Sequence, residues 1–298
     1  MQFLGEISAL LTACLWSGSS LSFAAATKRV GSVKVNITRL LLAALALLAI
    51  VLIAGLAAPL SNNQLAYLAV SGVIGFAIGD TFLFMAFQRL GARISMLVMS
   101  LAPAVAAILA FLMLGEGVST VGAIGITLTM VGICIVILER SELDGEAPRF
   151  HFTSAGIALA LVAAAGQGSG LVFAKMAFRE GHVNGVLATL VRVLASLVIL
   201  LPVTLIAGKY KAPVETFRRD SKAFVLTAAG ALFGPVFGVI CSLVAIQYTT
   251  VGIAATLMAT TPILMLPLVR MVHKEHLGWR AFTGSFVAVA GVAVLFLR

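Results

Sequence analysis

Long stretches without a charge, separated by short polar or basic patches, run the length of the chain. The apolar runs are Leu4–Ala26, Val35–Gly55, Gln64–Phe87, Ile94–Leu114, Val118–Leu138, Thr153–Ala177, Gly185–Ala207, Ala223–Gln247, Val251–Val269 and Gly278–Leu297. Each is close to the ~20 residues that a helix needs to cross the hydrocarbon core of a bilayer. None keeps the two-residue alternation of a barrel strand, and closed barrels are the other way to satisfy backbone groups in lipid. The pattern predicts an all-α integral membrane protein with ten transmembrane helices. The first run reads as a span and not a cleaved leader, because no basic residue precedes it, it carries Glu6, and Lys28 and Arg29 follow it.

Composition supports this. Of 298 residues, 61% are hydrophobic and 10% charged, against about 45–50% and about 25% in soluble domains. A single-core soluble enzyme, a disordered chain and a disulfide scaffold are excluded. The net charge of +9 would suggest nucleic acid in a soluble protein, but basic residues collect in the cytoplasmic loops of membrane proteins. Cys14, Cys134 and Cys241 each lie in an apolar run without metal-ligand spacing.

The segment 139–152 (ERSELDGEAPRFHF) reads as a linker that divides two similar halves, residues 1–138 and 153–298. Pro103 and Pro262 stand 159 residues apart, and the same offset joins Gly75 to Gly234, Gly79 to Gly238, Gln88 to Gln247, Met99 to Met258, Glu116 to Glu275, Gly125 to Gly284 and Gly132 to Gly291. Slightly shorter offsets join Gly5 to Gly156 and Arg39 to Arg192. Five spans per half is an odd number, so the copies must lie in opposite orientations. Inverted repeats are a recurring plan of secondary transporters, which bind substrate near the midplane between the halves.

Loop charges agree with this geometry. The loops after spans one, three, five, seven and nine hold Lys28, Arg29, Lys34, Arg89, Arg93, Arg140, Arg149, Lys209, Lys211, Arg218, Arg219, Lys222, Arg270, Lys274 and Arg280. The opposite side holds Arg179 and Arg298. The imbalance makes the odd-numbered loops cytoplasmic and leaves both termini outside.

The stretch LAPAVAAILAFLMLGEGVSTVGAIGITLTMVGI (Leu101–Ile133) resembles the EamA repeat of the drug/metabolite transporter superfamily, with a mid-helix Pro, a Gly-Glu turn and spaced glycines. A second copy, Thr261–Val292, has Lys274-Glu275 in place of Gly-Glu. The resemblance implies a ten-helix carrier of amino acids, other small metabolites or drugs in a bacterial inner membrane, working without a cofactor. Members of the superfamily are often drawn with cytoplasmic termini, the reverse of the loop charges here. The small multidrug relatives exchange protons at a glutamate buried in their first helix, whereas helix one here has only Glu6, at its end.

Within the spans, ionisable groups are the first site candidates, because burying them is costly. Asp80 is the one acid well inside a span, with Phe76 and Phe84 on its helical face. Its expected roles are an ion pair with Arg39, contact with a substrate ammonium, or proton exchange. Val239 takes its place in the second half. Arg192 is deep enough to hold a substrate carboxylate, while Lys175 is expected to snorkel to the interface. Trp16 and Gln167, at matching positions mid-helix, and the paired Met99 and Met258 are candidate cavity walls. Pro103 and Pro262 are expected to kink their helices and line the path. The four-residue spacing of Gly75 and Gly79, and of Gly234 and Gly238, provides smooth faces for close packing.

Glu116 and Glu275 are expected to cap the helices that they open. His273 and His276 offer too few ligands for a metal. The sequence has no catalytic triad and no phosphate loop. The expectation is a gradient-driven exporter of amino acids or analogues by alternating access. Its partners are a small-molecule substrate and the bilayer, with protons as a candidate coupling ion, and it acts as a monomer or homodimer. Proton-coupled efflux of lipophilic cations is the alternative.

Overall fold

A computed structural model of the chain describes residues 3–138, 153–261, 263–265 and 279–296. The described residues form helices and no strands. The first half contains α1 (Leu4–Val30), α2 (Ser32–Ile53), α3 (Asn62–Gly72), a π-helical segment (Val73–Asp80), α4 (Thr81–Met99), α5 (Ala102–Leu114) and α6 (Thr120–Leu138). The second contains α7 (Ser154–Arg179), α8 (Gly185–Ile206), the short α9 (Pro213–Arg219), α10 (Ser221–Ala231), a second π segment (Leu232–Gly238), α11 (Val239–Tyr248), α12 (Val251–Met258) and α13 (Trp279–Phe296).

Six helical stretches are long and apolar enough to cross a membrane: Leu4–Val30, Ser32–Ile53, Asn62–Leu90, Ser154–Arg179, Gly185–Ile206 and Ser221–Tyr248. Shorter apolar helices accompany them, and leucine, valine and phenylalanine side chains line the outer faces. Such faces suit lipid, which asks a helix only to satisfy its own backbone.

The helix ends follow from local chemistry. Ser61 and Gln64 form a capping box at α3, at 3.1 and 2.9 Å. Asn184 accepts from Val186 N at 2.9 Å to start α8, and Asp220 accepts from Ala223 N at 3.0 Å to start α10. Gly31 (φ 91°) and Gly115 (φ 65°) turn the chain where a β-carbon would be strained.

Two departures from the sequence reading shape the middle of the molecule. The gap expected between Phe87 and Ile94 is helical, because α4 runs on to Met99. The run Ile94–Leu114 is instead broken at Ser100–Leu101. Pro103 falls in the first turn of α5, where its missing N–H leaves no hydrogen bond unmade. It starts a helix after a break and does not kink one. The run Val251–Val269 is likewise interrupted, at Ala259–Thr260 beyond α12, 159 residues after the first break. Pro262 lies outside the described residues.

The π segments also repeat at that spacing, beginning at Val73 and Leu232. Pro235, which has no N–H to donate, lies inside the second. Helix α7 packs on the first segment backbone to backbone. A β-carbon on Gly166 would come within 3.0 Å of Gly79 Cα. The matching Gly238 instead receives the Trp16 side chain of α1, with 2.6 Å between a hypothetical β-carbon and Trp16 Nε1. The packing of α1 and α7 on the two π segments is therefore asymmetric.

Candidate functional site

A cavity of about 120 Å3 lies between α1, α2, α4, α5, α7, α11, α12 and the π segments. It is lined by Trp16, Ser19, Ser20 and Phe23 of α1, Arg39 of α2, Phe76 and Asp80 of the first π segment, and Phe84 and Phe87 of α4. Met99, Pro103, Gln167, Gly234, Pro235 and Met258 complete much of its wall. Such a volume holds about ten waters at roughly 12 Å3 each, enough for a small organic molecule.

One ion pair dominates the wall. Arg39 Nη2 donates to Asp80 Oδ2 at 2.5 Å, and its Nε donates to Asn36 Oδ1 at 2.9 Å. Asn36 in turn donates to Thr81 Oγ1 at 2.8 Å. The guanidinium lies 5.1 Å from the Phe23 ring centre and 4.7 Å from that of Phe84, a placement attractive to a cation. Phe23 and Phe84 are 5.5 Å apart, and Phe87 stacks on Phe84 at 6.0 Å. Arg39 is 5% and Asp80 9% exposed. Two charges withdrawn from water this far hold together only with good geometry and satisfied hydrogen bonds, and Asn36 and the two rings supply both.

Arg192 is placed differently from the expectation. It is 3% exposed, does not line the cavity, and lies behind Phe76 with its guanidinium 4.8 Å from the ring centre. Its Nε and Nη1 have no hydrogen-bond partner among the described residues. It passes close to Gly75, where a β-carbon would lie in van der Waals contact with Arg192 Nη2 at 3.4 Å.

The second helix break is satisfied in part by its own threonines, since Thr260 and Thr261 donate to the carbonyls of Leu257 and Met258 at 2.7 Å each, and in part from α1. Ser17 of α1 donates to the carbonyl of Thr261 at 2.9 Å, just past the second break. Polar backbone freed inside a membrane has to find such a partner.

A second polar cluster lies where α5, α7 and α11 end and α12 begins. Glu116 does not cap its own helix; its Oε2 accepts from Val251 N at 2.9 Å, capping α12 from the other half. Its Oε1 faces Arg179 at 3.3 Å and Lys175 at 3.8 Å. Lys175 does not snorkel outward but donates to the carbonyls of Ile246 and, at 3.1 Å, Thr249, at the end of α11. Thr249 also donates to Glu6 Oε1 at 3.0 Å. Among the described residues no group of three or more His, Cys, Asp or Glu side chains could hold a metal; His273 and His276 lie outside them.

Sequence reasoning missed Asn36, Thr81, Phe23 and Ser17. The signal for Asn36 was present: an amide three residues before an intramembrane arginine, on the same helix face.

The described residues form a broken-helix bundle around a cavity with a desolvated ion pair on its wall, a fold of the membrane-protein class. The model of the EamA-like transporter family matches residues 3–138 and 154–297, and the chain belongs to that family. It is a multi-pass membrane transporter of small molecules, from a family of transporters and not of enzymes. A crystal structure of a protein with 18% sequence identity superposes with a TM-score of 0.77, covering 100% of this chain and 97% of that one; this likeness shows a shared fold. No curated protein matches the sequence.

Proposed function

We propose that the protein exports amino acids or close analogues by alternating access, with ten spans arranged as two inverted five-helix repeats (1–138 and 153–298) joined by the linker 139–152. The observation that carries this reading is the Arg39–Asp80 pair on the cavity wall. A wall that presents a cation and an anion side by side suits a zwitterion, whose carboxylate competes for the guanidinium and whose ammonium competes for Asp80. Trp16, Phe76, Phe84, Met99 and Met258 offer apolar contact to its side chain, and Gln167 offers an amide. Arg192 is a second carboxylate partner, reached when Phe76 moves. The glycines and the helix breaks let the halves rock about the cavity.

The basic loops, those after α1, α8 and the other odd-numbered spans, face the cytoplasm in this reading, and the membrane is a bacterial inner membrane. Protons are the coupling ion proposed. The Phe23, Phe84 and Phe87 rings beside Asp80 favour a second reading, efflux of lipophilic cations.

Counterflow in proteoliposomes separates the two. Labelled neutral and aromatic amino acids are tested beside a labelled lipophilic cation, in wild type and Asp80→Asn. Saturable amino-acid exchange that is lost in the variant supports the first reading. Cation exchange alone, driven by an imposed pH gradient, replaces it with the second.

A further inference from the structure

Arg39 and Arg192 occupy matching places in the two repeats, 153 residues apart on the second helix of each half. Their surroundings are alike in one respect: each guanidinium lies over a phenylalanine of the stretch that carries Asp80. Arg192 covers Phe76 at 4.8 Å and Arg39 covers Phe84 at 4.7 Å. These rings come four residues before and four residues after Asp80. The carboxylate thus lies between two buried arginines, one towards each end of the bundle.

Only one arginine is served. Asp80 bonds Arg39, while among the described residues Nε and Nη1 of Arg192 are buried without a hydrogen-bond partner. The second repeat provides no acid of its own at the equivalent place, which is Val239. Leaving a guanidinium buried without its hydrogen bonds is costly, and a state that supplies the missing acceptor recovers that cost. Asp80 also ends a π segment. Such a segment carries its extra residue in a wide turn, and passing that residue along the helix rotates a side chain by roughly 100° per position. This motion carries Asp80 around its helix without unfolding it.

Resting on the alternating-access reading, we propose that Asp80 is shared between two arginines, bonding Arg39 in the access state described here and Arg192 in the opposite one. The unpaired arginine then alternates between the two ends of the bundle. The pair that forms stabilises the state in which it forms. Besides meeting the substrate, Arg39 and Arg192 set which state is favoured, and their removal biases access towards one face.

The test is sided labelling of a cavity cysteine. Ser20→Cys is introduced with Cys14, Cys134 and Cys241 replaced by Ser, and purified protein in liposomes is treated with a membrane-impermeant maleimide from either face. Lys28→Cys and Ala57→Cys report which end of the bundle faces outward. The parent protein labels at Ser20→Cys from both faces. Arg192→Gln removes a guanidinium whose Nε and Nη1 make no hydrogen bond among the described residues, so it keeps the fold and holds Asp80 on Arg39. It labels from the Lys28 face only, with the rate from the Ala57 face falling at least about tenfold. Arg39→Gln reverses the preference, and Arg192→Lys restores labelling from both faces.

Two-sided labelling of Arg192→Gln at the parent's rates overturns the switch and leaves alternating access standing. One-sided labelling of the parent itself overturns alternating access, and the switch with it. Should Arg39→Gln fail to yield monodisperse protein, the Arg192→Gln result decides alone.

Discussion

Glu116, in the turn between α5 and α6, accepts a hydrogen bond from the backbone N–H of Val251, 135 residues away at the start of α12. The same carboxylate holds Lys175 and Arg179 of α7. One side chain therefore ties both halves together at the end of the bundle away from the basic loops. Glu116→Ala removes the cap of α12 and the counter-charge of two cations. A loss of roughly 2–3 kcal/mol is expected from the cap and the charged hydrogen bonds together. Thermal unfolding in detergent measures it, and a change below about 0.5 kcal/mol would contradict the assignment.

Asp80→Asn leaves Arg39 buried beside a neutral amide. Breaking a buried pair from one side costs about 3–5 kcal/mol, whereas replacing both partners by neutral groups of similar volume is often nearly neutral. The double variant Arg39→Gln with Asp80→Asn is therefore expected to recover most of the stability lost by Asp80→Asn and none of the transport. Equal losses in the single and double variants would show that the pair does not couple as described.

Close approach of α7 to the first π segment gives a sharper contrast. Gly166→Val places atoms against the Gly79 backbone, and overpacking of a tight contact costs about 1–3 kcal/mol or more. Gly18 of α1 has open space around its α-carbon. Gly18→Ala is expected to be neutral or to stabilise by up to about 1 kcal/mol through helix propensity. Melting temperatures of the two variants against wild type check this, and equal effects would place the contact elsewhere.

Outside the spans, Arg29 Nε donates to Asp220 Oδ2 at 2.7 Å, which together with the Ala223 amide lowers the Asp220 pKa. A carboxylate with a depressed folded-state pKa stabilises the fold above its unfolded value, near about 3.9, and the contribution fades as pH falls through the folded value. The stability difference between wild type and Asp220→Asn is expected to be present at neutral pH and to close in acid below about pH 4. A gap that widens on acidification would contradict this sign.

Depth along a helix could be read from the sequence, since residue count alone places Trp16, Gln167, Asp80 and Arg192 near mid-span. The offset of 159 residues likewise pointed to Met99 and Met258 as a pair, and both line the cavity. Rotation about the helix axis could not be read. A helix that is apolar all round has no stripe to say which side faces a neighbour, so Arg192 was expected on the cavity wall and lies behind Phe76 instead. The breaks at Ser100–Leu101 and Ala259–Thr260 were hidden for a related reason. Continuous hydrophobicity reports burial in lipid but not whether the backbone stays helical, and one group that meets the backbone past the second break, Ser17, comes from a distant helix. Lys175 was expected to reach the interface because the carbonyl end of α11, which holds it, is a tertiary feature.

In the proposed mechanism the transported molecule binds in the cavity beside Arg39 and Asp80. Protection of Ser20→Cys from a thiol reagent, measured in the cysteine-replaced protein while a transported amino acid is titrated, tests it most directly. Saturable slowing of labelling is expected, with half-protection near the concentration that half-saturates counterflow, and no protection in the Asp80→Asn background. Undiminished labelling at concentrations that saturate transport would contradict it.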